Sequence, residues 1–413
     1  MTSERLYVWA WLPGASTPIV CGVVEEQHGH HRFNYGRSYV ENPDAIPLYG
    51  IPLMQGAAPL PNGLTLHGTL RDALPDAWGQ HVILQRLTGR SGTSGDPAEL
   101  SMMTYMRESS SDRFGALDFQ ESPTVYVDRS DSASLADLDE ATEHLQRGDP
   151  LPRALEAAFA HGTSIGGARP KATLTEGNHH WIAKFSSTTD RRPAMRHEAL
   201  ALFLARRMGI DTVDFKLTEV RGRDVLLVRR FDRAKGGLRF MTVSGLTMLN
   251  LDEMFGRYAT YPDLLDVLTS QGNDPARIGR DLFRRIAANI VLGNSDDHAR
   301  NHAALWDGRY LRLSPAFDID PCRSPGWDSN QAMAYGREGQ RASTLKGLVR
   351  CAPTYRLSVT EATDIVDQCV AAVEDNWASA LEHARLTASQ ARSLRHVILN
   401  TGIHDHPNVP RNG

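Results

Sequence analysis

The stretch LFRRIAANIVLGNSDDHARNHAALWDGRYLRLSPAFDIDP, residues 282 to 321, decides how this chain is read. Leu282, Ile286 and Ile290 recur at four-residue steps and so share one face of a helix. Gly293 ends that helix, because glycine enters the left-handed conformation of a C-cap without a Cβ penalty. The loop that follows, NSDDHARNH at 294 to 302, is dense in groups that ionise or bind metals. Ala303 to Trp306 reads as a short strand, Asp307-Gly308 as a hairpin turn, and Tyr310 to Leu313 as the return strand, which delivers Asp318.

The order helix, polar loop with Asp and Asn five apart, hairpin and second Asp is the order used for phosphoryl transfer in protein kinases. There the first Asp accepts the proton of the substrate hydroxyl, the Asn binds one Mg²⁺, and the second Asp holds the metal that bridges the phosphates. Asp296, Asn301 and Asp318 have that order and spacing. Two other readings of the loop stand beside this one. Asp and Asn also bond nearby backbone amides, so 294–302 could be a capped turn. His298 and His302 are i,i+4, a zinc spacing, but HARNH lacks the general-base Glu of the HExxH pattern.

Upstream, GTSIGGARPKA at 162 to 172 is neither a Walker A loop nor GxGxxG. A glycine pair before a strand is commonly a turn, yet Gly166 and Gly167 would let backbone amides approach a phosphate, with Arg169 and Lys171 adding positive charge. Lys184 closes the strand HHWIAKF, and Glu198 lies on the amphipathic helix that follows. A strand Lys paired with a helix Glu orients α- and β-phosphates in kinases, although a lone strand Lys is usually a solvated edge charge. Val228 to Phe231 follows the next strand, where a kinase has its hinge.

The motifs SIGGARPKA, WIAKF, LLVRRFDR, NSDDHARNHA and LSPAFDIDP occur in the order found in HipA-type kinases, the toxin halves of type II toxin–antitoxin modules, which the chain resembles over nearly its whole length. LRDALPDAWGQ and DRFGALDF resemble the N-terminal subdomain of that family. The resemblance implies Asp296 as catalytic base and Asn301 and Asp318 as Mg²⁺ ligands. It implies Lys184 at the ATP phosphates and the backbone around Arg229 and Phe231 at the adenine. It also implies that Ser164 is autophosphorylated as an off switch. The partners it implies are a small helix-turn-helix antitoxin of HipB type, operator DNA through that antitoxin, and a protein substrate, for which the family's example is an aminoacyl-tRNA synthetase. One departure stands out: Arg229 occupies a place where the family pattern leads one to expect an acidic residue.

The expected fold is α+β: a kinase-like two-lobe arrangement with a β-rich N-terminal subdomain at 1–125, a nucleotide-binding lobe at 126–232 and a mostly helical C-terminal lobe at 233–413. Leu6 to Leu12, Ile19 to Val24 and His31 to Tyr35 read as strands, and a helix is expected from Pro75-Asp76 to about Leu87. Residues 88–101 and 107–115 read as loops, and 128–160 as helical. A net charge of −4 argues against a chain that coats nucleic acid unaided. Cys21, Cys322, Cys351 and Cys369 are too widely spaced for a zinc ribbon and fit reduced thiols in a cytoplasm. MTSERLYVW carries no apolar run, and no stretch reaches the 18 residues of a membrane span, so neither a signal peptide nor a membrane partner is expected. Two rival functions use the same residues: a kinase of small molecules, and a non-enzymatic partner of a DNA-binding repressor.

Overall fold

Three of the expected strands form as β1 (Arg5–Ala10), β2 (Ile19–Gln27) and β3 (His30–Tyr35) in the structure, a computed structural model that describes residues 4–61, 63–89, 95–130, 133–147, 149, 169–187, 190–322 and 330–399. A fourth strand, β4 (Leu117–Gln120), completes an antiparallel sheet in the order β3-β2-β1-β4. Sequence reading missed β4, since its four residues are buried on both faces and show no alternation. Leu6, Val8, Val24, Phe33, Leu117 and Phe119 form the core beneath the sheet. The segment read as a loop from 107 is helical up to Glu108, because Ser101 caps Met102–Glu108 by accepting from the Thr104 amide at 3.0 Å. The expected helix after Pro75 runs Ala77–Thr88, capped by Asp76.

A second sheet has the order β5-β6-β8-β7, with β5 (Lys171–Glu176), β6 (His179–Phe185), β7 (Phe215–Val220) and β8 (Arg223–Arg229). Ala172, Ala183, Phe185, Val225 and Leu227 point to one side and meet Leu138, Ala141 and Leu145 of the helix Leu135–Arg147. Arg223 ties β8 to this helix by an ion pair with the buried Asp139 carboxylate at 2.7 Å and a hydrogen bond donated to the Asp139 backbone carbonyl at 2.9 Å. A short strand, β9 (Thr242–Ser244), comes next along the chain and is buried throughout.

The chain divides into two compact units: one of residues 1–191, 218–243 and 305–309, the other of 192–217, 244–304 and 310–413. Both sheets above belong mainly to the first unit. The second is mostly helical. Its Val359–His383 helix packs on Ala194–Arg207 and on Pro275–Leu292. Pro275–Leu292 begins where Asp274 accepts from the Arg277 amide at 3.2 Å, with Pro275 at the first position. It ends at Gly293, at φ +70°, where a Cβ would also stand 2.7 Å from Val397. Only glycine meets both constraints. The helix therefore stops at a fixed point and starts the loop at 294 in a defined direction.

The first unit contains a lattice of buried charge. Arg113 is fully buried; it donates to Asp118 at 2.7 Å and to the carbonyls of Ala73 and Met106. Arg230 bridges Asp112 and Asp232, each at 2.7 Å, and Arg233 bridges the same pair at 3.0 and 2.9 Å. The Gly115 amide donates to Asp232 at 2.8 Å. The lattice joins DRFGALDF to LLVRRFDR, two motifs more than 100 residues apart. Burial pushes the Asp232 carboxyl up, but the two guanidiniums outweigh it and hold it below the ordinary carboxylate range. Burial and the neighbouring Arg230 charge together bring Arg233 down to about 9.

Candidate active site

The loop after Gly293 sorts its two adjacent aspartates by environment. Asp296 is exposed, whereas Asp297 is buried. One carboxylate oxygen of Asp297 accepts from Asn289 Nδ2 at 2.5 Å, from His302 Nε2 at 3.0 Å and from the Tyr261 hydroxyl. Asn294 in turn donates to the Asn289 amide oxygen at 3.0 Å. Burial raises the Asp297 carboxyl, but His302 and the hydrogen bonds from His302 and Tyr261 hold it below the usual range. The Tyr261 phenol moves well up, through burial and the Asp297 charge beside it. Asp297 is thus an anchor, and Asp296 is the carboxylate left facing solvent.

Asn301 ends the short helix Ala299–Asn301 and is buried. Its Nδ2 donates to the Asp296 carbonyl at 3.2 Å, which closes the loop on itself. With the nitrogen so engaged, the amide oxygen is the atom left to accept or to coordinate. Backbone bonds hold the loop from outside: the Ala332 amide on the Ser295 carbonyl at 2.9 Å, and the Gly245 amide on the His302 carbonyl at 2.7 Å. The zinc spacing does not survive folding. His298 is exposed, while His302 is buried with Nε2 directed at Asp297.

Strand β10 (Ala303–Trp306) leaves this loop and β11 (Leu311–Leu313) returns. They are joined by four residues where a two-residue turn was expected. Asp307 accepts from the Arg309 amide at 2.8 Å, an Asx turn that replaces the tighter one. Beyond β11 the chain is pinned at three points: Ser314 N to the Ala303 carbonyl at 2.9 Å, Arg285 to the Ser314 carbonyl at 2.5 Å, and Ala316 N to the Asp211 carbonyl at 2.7 Å. Asp318 then adopts φ +59°, a left-handed conformation that Asp tolerates better than most residues, and lies half-buried. Two residues on, Asp320 takes a two-pronged ion pair from Arg192, at 2.9 and 2.5 Å. Arg192 stands just before the helix that carries Glu198, so that helix and the Asp318 segment are fastened together.

The remaining predicted residues are placed as follows. Lys184 is buried near the end of β6 in the first unit, opposite Lys171 in the strand register. Glu198 is buried on Ala194–Arg207 in the second unit. Arg229 ends β8, half-buried, and Phe231 packs edge-on against Phe114 with ring centroids 6.1 Å apart. The amide of Arg230 between them donates to the His180 carbonyl at 2.9 Å. Lys171 and Arg169, read as charge for a phosphate, face Asp76 at 3.4 Å and Asp190 at 2.6 Å. Gly166, Gly167 and Ser164 lie outside the described residues.

The donor set suits a hard divalent ion. Among the described residues, no cluster of three or more His, Cys, Asp or Glu is assembled for a metal. Asn301 and Asp318 offer only oxygen, and Mg²⁺ is commonly held by one or two protein oxygens with phosphate and water completing its shell.

Comparison with known proteins bears on the family and the fold. Residues 163–377, slightly more than half of the chain, match the model of the HipA-like C-terminal domain. The chain belongs to the HipA-like family. A curated relative, "Putative kinase Y4mE" of Sinorhizobium fredii, is 26% identical over 167 residues, which cover 38% of this chain and 38% of that protein. Among solved structures, the HipA toxin–antitoxin system of Shewanella oneidensis MR-1, a complex of HipA, HipB and operator DNA, matches with a TM-score of 0.68 at 16% identity. That match covers 95% of this chain and 98% of that one. The Helicobacter pylori proinflammatory kinase CtkA matches with a TM-score of 0.37 at 16% identity, over 56% of this chain and 94% of that one. The fold is the kinase-like α+β fold of HipA. No helix among the described residues is long and apolar enough to cross a membrane.

The residues missed from sequence alone are Tyr261, Asn289, Asp297 and His302 as a cluster, and the Arg192–Asp320 pair. The sequence carried only a faint sign of them: two acids side by side in one loop, and a second acid two residues after Asp318.

Proposed function

We propose that this HipA-like protein is an ATP- and Mg²⁺-dependent serine/threonine protein kinase, the toxin of a type II toxin–antitoxin module. The observation that carries the reading is the division of labour in one loop. Asp296 is exposed, Asp297 is buried as its anchor, and Asn301 is bonded back to the Asp296 carbonyl.

In the proposed reaction the substrate hydroxyl oxygen attacks the γ-phosphorus of ATP. The new O–P bond forms as the bond to the β,γ-bridging oxygen breaks and ADP leaves, and Asp296 takes the hydroxyl proton. Asn301 and Asp318 would hold Mg²⁺, which supplies charge neutralisation for the phosphates. Gly166, Gly167, Lys184, Glu198, Arg229 and Phe231 are our proposed nucleotide residues, within a nucleotide-binding lobe read at 126–232. Ser164 is the proposed autophosphorylation site. A HipB-like antitoxin, operator DNA through it, and a protein substrate such as an aminoacyl-tRNA synthetase are proposed partners; the fold shared with the Shewanella oneidensis HipA supports the first two.

Asp296→Asn tests the reading. It exchanges a proton acceptor for a neutral isostere on an exposed residue. Phosphoryl transfer from labelled Mg-ATP to protein should fall by about 10²–10⁴ with the fold intact. Phosphosites mapped in the same incubations should include Ser164 in the native chain and lack it in the variant. Transfer at the native rate in Asp296→Asn removes the proposed base.

A further inference from the structure

An apolar platform stands beside the candidate catalytic loop, on the short 3-10 helix Glu253–Tyr258. Met254, Phe255 and Tyr258 expose 79%, 50% and 58% of their surface. Three of the nine large exposed apolar side chains among the described residues therefore fall within six positions, which marks a patch and not scattered exposure. The Phe255 and Tyr258 rings lie 6.1 Å apart, 27° from parallel, and present one face.

The platform is built in. Asp252 caps it by accepting from the Met254 amide at 3.1 Å. The Leu251 amide donates to the Leu246 carbonyl at 2.9 Å, and a Cβ on Gly256 would stand 3.3 Å from Leu246. Leu246 belongs to the helix Gly245–Met248, whose first amide donates to the His302 carbonyl. A Cβ on Gly245 would strike the Ala299 carbonyl. Glu253 completes the attachment through an ion pair with Arg300, the residue between Ala299 and Asn301. The apolar face is thus fastened to the same loop that carries Asp296.

Its charge indicates the occupant. Glu253 is engaged by Arg300. Arg257 is exposed, lies 4.9 Å over the Tyr258 ring and donates to its hydroxyl at 3.2 Å; no carboxylate pairs with it among the described residues. A bulky apolar side chain would cover Met254 and Phe255, and a nearby carboxylate would meet Arg257.

We propose that this platform docks the protein substrate. Its occupant is an extended segment flanking the phosphate-accepting hydroxyl, with one bulky apolar residue and one acidic residue close to it. Extended chain advances about 3.3 Å per residue, so the number of positions between the docking residue and the acceptor sets the reach. The proposal rests on the kinase reading above.

The test uses the full chain, Mg-ATP and a peptide library with a fixed Ser or Thr acceptor and varied flanks. The native protein should select Leu, Met or Phe at one flanking position and Asp or Glu near it. In Met254→Ser/Phe255→Ser the apolar selection should vanish. KM for the best peptide should then rise on the order of tenfold, with kcat and peptide-independent ATP hydrolysis unchanged. Arg257→Glu should exchange the acidic preference for Lys or Arg. A native protein without flank preference, or variants that keep it, would overturn the docking surface while ATP turnover leaves the kinase reading intact. A native dimer that becomes monomeric in the double serine variant assigns the patch to a second copy and also overturns it. No ATP turnover by the native protein removes the kinase reading, and the docking proposal with it.

Discussion

The Asp112–Arg230–Asp232–Arg233 lattice and the Asp297 cluster both keep carboxylates away from water, with opposite chemistry. In the lattice two carboxylates face two guanidiniums that share the same pair of partners, and backbone groups occupy the remaining donors and acceptors. In the cluster a single carboxylate gathers a phenol, an amide and an imidazole from three separate places in the chain. The lattice fastens two distant segments and leaves no group exposed for chemistry. The cluster fastens a loop by one residue, and the residue before it, Asp296, is held in place while its own side chain faces solvent.

Removing one partner from the lattice should have the larger effect on stability. Arg230→Met leaves the buried Asp232 and the half-buried Asp112 with one guanidinium between them. Breaking a buried ion pair in this way costs about 3–5 kcal/mol. Urea unfolding followed by circular dichroism would show it as a lower midpoint. A loss below about 1 kcal/mol would mean that the lattice is a solvated surface network.

The cluster should respond less. Asp297→Ala leaves the Tyr261 hydroxyl and the Asn289 amide without their acceptor, a loss of about 2–3 kcal/mol. Asp296→Asn, one residue away, should change the same unfolding midpoint by no more than about 0.5 kcal/mol. Equal losses at the two positions would erase the distinction between anchor and exposed carboxylate.

The smallest change per step is a matter of pH. His197 is buried, its Nδ1 has no hydrogen-bond partner among the described residues, and burial together with the nearby Arg192 charge brings it down to about 4 from 6.5. The unfolded chain therefore takes up a proton first as pH falls. The stabilisation from a neutral His197 is complete above pH 6.5, declines from 6.5 to about 4, and is flat below that. His197→Gln should remove a slope of about 1 kcal/mol per pH unit within that window while leaving the acid loss from the lattice carboxylates below pH 4. An identical pH profile in the variant would show that His197 titrates normally.

The sequence by itself determined the elements that local rules control. The helix ending at Gly293, the strands on either side of Asp307-Gly308 and the five-residue step from Asp296 to Asn301 were legible, since period, capping and turn chemistry act over a few residues. The tertiary structure alone decided which of two adjacent aspartates is anchored and which is exposed. That choice depends on Tyr261 and Asn289, 36 and 8 residues before Asp297, whose donors meet only when helices Tyr261–Gln271 and Pro275–Leu292 pack together. The lattice was hidden for the same reason. Arg230 and Asp112 are 118 positions apart, and charges carry no mark of their partner until the chain is folded around them.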